Sequence, residues 1–265
     1  MRSPPNTHKR AFTSPISSAP APSKIGIPQS KIRNSMNLLF PLITLSLAFH
    51  PLSAKPPVAP IAEPTTLIIA TPFDQPAPPT RKGPINGWQA GIGEWTVKDG
   101  ALHGTELESD HHHSSCTYRL DATHLIITAQ FRLGTATQIA FGCRDTIAPN
   151  NHLARTYITP DAIWITHMSG ISKTTKSTKI AELKTPIDRD TWHTLTIEII
   201  GDHYRATIDK HIIEATYPRF KDPKGIVALI NKGQGAQFKT VTLSHAQPKP
   251  TTRNPQGTGP STPAK

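Results

Sequence analysis

Between about residues 85 and 245, apolar and polar residues alternate with a period of two over many short runs. Trp95 and Val97 alternate with Thr96 and Lys98, the pattern of a half-buried strand. Asp99-Gly100 follows, a dipeptide that tolerates the positive φ angles of a type I′ turn at both central positions. Ala101 and Leu102 then begin a return strand. Residues 93–104 are therefore predicted as a β-hairpin around which the folded part is organised. Further strand patterns cover residues 116–120, 125–133, 137–143, 153–158, 162–168, 180–183, 192–200, 203–208, 211–217, 225–230 and 237–243. Gly, Pro, Asn and Asp separate many of them. Residues 218–222 carry the one short helical turn. This spacing predicts an all-β fold: a two-sheet antiparallel sandwich of the jelly-roll kind.

Composition sets the borders of that domain. The chain has 265 residues and 27 prolines, most of them outside the strand-rich segment. Residues 1–35 are rich in Ser, Pro and basic residues, a disordered composition. Residues 36–54 hold an apolar run of about a dozen residues behind Lys31 and Arg33, ending at Ala54. They are read as a signal peptide, too short for a comfortable membrane span. Met36 then becomes a second candidate start. The competing reading is an uncleaved anchor with a short tail. Residues 55–84 read as a Pro-rich linker with a first strand at 66–70 that pairs with the last strand of the domain. Residues 85–245 form the sandwich, and residues 246–265 a disordered tail. Secretion or a periplasmic location is the expectation.

The formal net charge of +11 raises nucleic acid as a partner. Many of the basic residues lie in the tails, and no Lys/Arg cluster is interleaved with aromatics, so nucleic acid is set aside. Two cysteines, Cys116 and Cys143, fall on separate strands. They form a disulfide if those strands are neighbours, and otherwise serve as small buried apolar residues.

Three segments, in this order, resemble a known family. They are Trp95-x-Val97-x-Asp99-Gly100-x-Leu102, then Trp192-His193-Thr194-Leu195-Thr196-Ile197-Glu198 leading to Ala206-Thr207-Ile208-Asp209, then Gly225-Ile226-Val227-Ala228-Leu229 leading to Phe238-Lys239-Thr240-Val241-Thr242-Leu243. Together they look like the 3-keto-disaccharide hydrolase domain family, long described as a domain of unknown function. The resemblance spans about residues 67–245. It implies the concanavalin A-like (laminin G-like) jelly roll, an exported bacterial protein, and hydrolysis of glycosidic bonds in 3-keto sugars. Where that family has Glu-Phe-Arg, this chain has Gln130-Phe131-Arg132. Where the family has Asn-Ser-Gly-Ile and a following Arg, this chain has Thr137 to Cys143 and then Arg144.

Candidate chemistry falls into three groups. Glu106, Glu108 and Asp110 alternate and share a face if the strand continues that far. Such carboxylates can act as acid and base on a sugar or bind Ca²⁺, and an exposed loop is the competing account. His111, His112 and His113 offer imidazoles suited to Zn²⁺, yet strand neighbours point to opposite faces and cannot all hold one ion. No calcium-loop or zinc spacing supports a metal, so no cofactor is expected. Arg132, Arg144, Asp145, His152 and Arg155 fall on or beside the middle strands, where Arg can make bidentate contacts to sugar oxygens. Trp164 offers a ring for stacking on sugar, or else a core or edge residue. Trp95 and Trp192 are assigned to the core. The chain shows neither a Gly-x-Ser-x-Gly elbow nor a phosphate-binding glycine loop.

The sequence thus predicts an exported carbohydrate-active domain whose catalytic status stays open. As an enzyme it would use Glu106, Glu108 and His113 for acid–base work, and Arg132, Arg144, His152 and Trp164 to bind substrate. The alternatives are a non-catalytic carbohydrate-binding domain and a structural cell-envelope sandwich. Carbohydrate is the expected partner, with membrane contact only through an uncleaved signal segment.

Overall fold

Burial follows the sequence pattern in the organising hairpin, where Trp95 and Val97 are buried between half-buried or exposed neighbours. The computed structural model describes residues 59–146, 151–170 and 174–250. Residues 1–58, which include the signal segment and the N-terminal extension, lie outside them, as do residues 251–265 of the tail. The chain divides into residues 1–55 and 56–265, and every described residue belongs to the second unit.

Seventeen strands are formed by the described residues. They are β1 (Ala62–Thr71), β2 (Ala77–Thr80), β3 (Gly83–Ile85), β4 (Trp88–Ile92), β5 (Glu94–Lys98), β6 (Ala101–Thr105), β7 (Ser114–Ala122), β8 (Leu125–Arg132) and β9 (Gln138–Asp145). Then follow β10 (His152–Ile158), β11 (Ala162–Ser169), β12 (Lys176–Lys184), β13 (His193–Ile200), β14 (His203–Ile208), β15 (His211–Thr216), β16 (Lys224–Lys232) and β17 (Gln234–Pro248). Short 3₁₀ turns occupy Glu108–Asp110 and Pro218–Lys221.

The strands make two antiparallel sheets. One runs β15-β14-β13-β8-β17-β6-β5-β2, with β1 also paired to β17. The other runs β12-β11-β10-β9-β16-β7-β4-β3. The fold is an all-β sandwich, the class that the spacing predicts.

The hairpin at its centre has the expected turn. Asp99 and Gly100 both take positive φ, 52° and 67°. The Trp95 indole lies buried between the sheets and donates to the Ile92 carbonyl at 2.9 Å. Directly opposite is Gly104, where any Cβ would sit 2.9 Å from the indole. From Trp95 an aromatic chain continues through Phe238, Phe141 and Phe131, with successive centroids 6.1, 5.7 and 6.2 Å apart. Each such fully buried ring contributes about 1.5–3 kcal/mol over its exposed state.

Several positions depart from the pattern-based reading. Prolines mark the stretch before residue 85 as linker, yet β2 and β3 form there. Each lies at the edge of its sheet, where a residue without an N–H is tolerated. β1 spans residues 62–71 and includes the 66–70 segment. Trp192, assigned to the core, is 38% exposed and carries Arg132 over its ring at 5.1 Å. It precedes β13, outside the run of inward positions. Cys116 and Cys143 sit on β7 and β9, which flank β16 rather than each other, and both thiols are free and buried.

Candidate functional site

The face of the β16 sheet turned away from the core is where polar and cationic side chains gather. Strand periodicity decides which residues stand there. On β9, Ile139, Phe141 and Cys143 enter the core, so Ala140, Gly142 and Arg144 point outward. On β16, Val227 and Leu229 enter the core, which turns Ile226, Ala228 and Ile230 outward.

Cross-strand register then builds three rows. The first reads Trp164–Tyr157–Ala140–Ile230–Ser115. Alongside it runs Thr166–Arg155–Gly142–Ala228–Thr117–Gln89. The third reads His152–Arg144–Ile226–Arg119. Rows two residues apart on one face are about 7 Å apart. Ala140, Gly142 and Ala228 thus make a low floor between taller side chains. Gly142 lets Arg155 lie close over the floor: a Cβ there would come 3.2 Å from the Arg155 Cγ and push that side chain back.

Recesses open on this face. One of about 220 Å³ is lined by residues of the His111, His112 and His113 loop with Ser115, Arg144 and Arg155. A second of about 530 Å³ is lined by Gln89, Thr117, Arg119, Arg144 and Ile226 among others. Arg144 borders both.

The hydrogen bonds of the cationic row are specific. Arg155 donates to the Tyr157 hydroxyl at 3.1 Å and to His152 Nδ1 at 3.2 Å. A guanidinium only donates, so His152 Nδ1 is the unprotonated acceptor. Burial first, then Arg155, Arg144 and His112, hold the His152 imidazole down to about 3. Burial and the neighbouring Arg155 also lower the Arg144 guanidinium. The Nε of Arg144 and the hydroxyl of Thr166 are buried without a hydrogen-bond partner.

Of the substrate-binding candidates, Arg144, His152 and Trp164 stand on this face together. Arg132 does not. It ends β8 in the other sheet, where it donates to Gln237 Oε1 at 2.6 Å. Asp145 turns inward and pairs with Arg219. Trp164 stacks on Tyr157, while Lys179 Nζ lies 5.0 Å from its ring centroid.

The acidic stretch takes another form. β6 ends at Thr105, so Glu106, Glu108 and Asp110 do not continue a strand. Glu106 accepts from the Gly233 N–H at 2.6 Å and pairs with His113 Nδ1 at 2.9 Å. Burial raises its carboxyl, but these bonds outweigh that and hold it low. Asp110 accepts from Arg81 and from the Gly93 N–H, both at 2.8 Å. Glu108 is exposed on the 3₁₀ turn. Glu106 and Glu108 line a separate recess of about 450 Å³, which shares His111 and His112 with the smaller arginine recess. Among the described residues, no group of three or more His, Cys, Asp or Glu is placed to hold a metal ion. A different histidine–carboxylate pair, His193 with Asp209 at 2.7 Å, has its second ring nitrogen 2.7 Å from the Asp188 carbonyl and braces β13.

Tyr157, Arg119 and Gly142 belong to the face but were not singled out by motif. Their signal is the period-2 alternation itself: Arg155-x-Tyr157 and Thr117-x-Arg119 interleave with residues facing the core.

Comparison by sequence finds no matching protein family and no matching curated protein. Solved structures do match. The carbohydrate-binding module CBM66 from Bacillus subtilis is 19% identical with a TM-score of 0.51, over 60% of this chain and 95% of that one. The Bacillus licheniformis beta-glucanase is 9% identical with a TM-score of 0.50, over 68% of this chain and 98% of that one. The fold is that of the concanavalin A-like jelly rolls. At these identities the likeness is one of fold.

Proposed function

We propose that this domain binds carbohydrate on the outer face of the β16 sheet. The observation that carries the reading is Arg144, which borders both recesses and holds a buried N–H with no partner. Around it, Thr117, Gln89, Ser115 and Arg155 supply further donors and acceptors over a floor low enough to admit a sugar chain. A carbohydrate-binding module and a beta-glucanase share the fold, which agrees with this reading. Export, expected from residues 36–54, is part of the proposal.

Binding without hydrolysis is favoured. Among the described residues, neither of these two recesses has a carboxylate in its lining. Most glycosidases need two, at most about 9.5 Å apart. The test is affinity electrophoresis of the full chain through gels holding a panel of soluble polysaccharides. Retardation that disappears in Arg144→Ala, with the melting temperature preserved, supports the reading. Equal mobility of the two proteins in every gel sinks it.

A second reading is hydrolysis of 3-keto glycosides, the activity that the sequence resemblance implies. One observation favours it: His113 lines the arginine recess while its Nδ1 is oriented by Glu106, as a base and its orienting carboxylate would be. Turnover of 3-keto glucosides but not their unoxidised parents, lost in His113→Ala, would establish it. No turnover would remove it.

A further inference from the structure

We propose that the 220 Å³ recess receives the negatively charged substituent, a carboxylate or a sulfate, of an acidic glycan lying along the β16 sheet. This rests on the carbohydrate reading and adds a charge requirement to it.

The argument begins with what the cations lack. Ion pairs among the described residues engage Arg81, Arg205, Arg219, Lys179, Lys184 and three histidines, but neither Arg144 nor Arg155. Yet these two arginines are diagonal neighbours on adjacent strands, since Arg155 pairs with Gly142 and Arg144 lies two residues further along β9. Arg119 closes the same row as Arg144 across β16. No Asp or Glu among the described residues lines either recess.

Gathering like charges in a half-buried place is unfavourable unless an opposite charge joins them. Elsewhere in this molecule buried cations have partners: Arg205 has Glu214, and Lys224 donates to the Thr123 and Phe220 carbonyls. Among the described residues Arg144 is the exception, with a buried N–H left unpartnered, and Arg155 beside it bonds only the neutral Tyr157 hydroxyl and His152; both open to solvent at a recess. His152 takes no share of the charge, because its Nδ1 accepts from Arg155. Guanidinium forks match planar carboxylates and sulfate oxygens through paired N–H bonds. Ser115 completes the rim with a hydroxyl that can donate.

The net charge of +11 attracts any polyanion loosely, so the test must separate the recess from the bulk field. The full chain is titrated at fixed ionic strength with two matched pairs: dextran against dextran sulfate, and mannan against polymannuronate. The acidic member should bind at least about tenfold more tightly in one pair or both, as one charge-assisted bond implies. Preference confined to dextran sulfate identifies sulfate, and preference confined to polymannuronate identifies carboxylate. Arg144→Gln and Arg155→Gln should bring the acidic-to-neutral ratio close to one. Lys210→Gln, the same charge change on the exposed β14–β15 turn, should leave it intact. Arg144→Lys, which keeps the charge, should retain part of the preference and guards against a fold that fails with glutamine. Equal binding of neutral and acidic members overturns this inference and leaves the carbohydrate reading standing. A ratio that falls as much in Lys210→Gln also overturns it. No binding to any of the four, nor to the panel described above, overturns both.

Discussion

Trp164 lies flat against Tyr157, with ring centroids 5.1 Å apart and planes 11° from parallel. Lys179 Nζ lies 5.0 Å from the indole centroid, and the Arg155 guanidinium lies 6.0 Å from the centroid of the tyrosine ring. Four side chains from three strands thus form a row, cation, ring, ring, cation. The stacked pair flanks Arg155 and helps to fix it. Trp164→Ala should cost about 1 kcal/mol of stability, the size of one aromatic pair. It should also weaken glycan binding through the freed Arg155. Urea melts and binding isotherms on the same protein check both, and undiminished binding would return the indole to a purely structural part.

His152 makes the stability of the domain depend on pH. Its folded value is held down to about 3 by burial and by Arg155, Arg144 and His112, whereas the unfolded chain titrates near 6.5. Between those values the unfolded chain holds more protons, so the contribution is complete above about 6.5 and lost as pH falls toward 3. His152→Asn should flatten the slope of the urea midpoint over that interval. A ligand anion placed between the arginines should move the imidazole the other way, upward, which NMR of its ring protons would follow.

Glu106 joins two loops. One carboxylate oxygen takes the Gly233 N–H, and the other takes His113. Replacing it by Gln turns one acceptor into a donor facing an N–H, with an expected loss of about 1–3 kcal/mol. Because the folded carboxyl is held below its ordinary value, its contribution is present above about pH 4.5 and fades as pH falls through the folded value. A Glu106→Gln protein as stable as the parent at pH 7 would show that the bonds to Gly233 and His113 contribute nothing.

The two thiols should be inert in the folded protein. Burial pushes Cys143 up to about 12 and raises Cys116 as well. A thiol reagent should therefore find none in the native chain and two after unfolding without reductant. One or none after unfolding would mean that the cysteines had paired.

The strand pattern and the organising hairpin were legible because period-2 alternation and an Asp-Gly turn are local signals, read within a dozen residues. Edge strands β2 and β3 were hidden, since proline marks a linker unless one knows that a sheet ends there. Within the candidate site, Arg144, His152 and Trp164 were visible as polar or aromatic residues on core-alternating strands. Their convergence depends on β9, β10 and β11 being adjacent, as does the exclusion of Arg132. That adjacency is long-range and has no mark in the chain. In the acidic stretch the sequence shows Glu106 and Asp110 as carboxylates but not their partners: each accepts from a backbone N–H, of Gly233 or Gly93, that only the folded turn presents.

The prolines of β2 and β3 have a consequence for the solution behaviour of the protein. An open sheet edge is a template on which another chain can add a strand. Pro78, Pro79 and Pro84 leave gaps in the N–H row on one side of the sandwich. At the opposite edge of the β16 sheet, β12 carries exposed Lys176, Lys179 and Lys184, whose charges repel a second copy. With that sheet blunted at both ends, one by missing donors and one by charge, it is guarded against edge-to-edge polymerisation through either of its own edges.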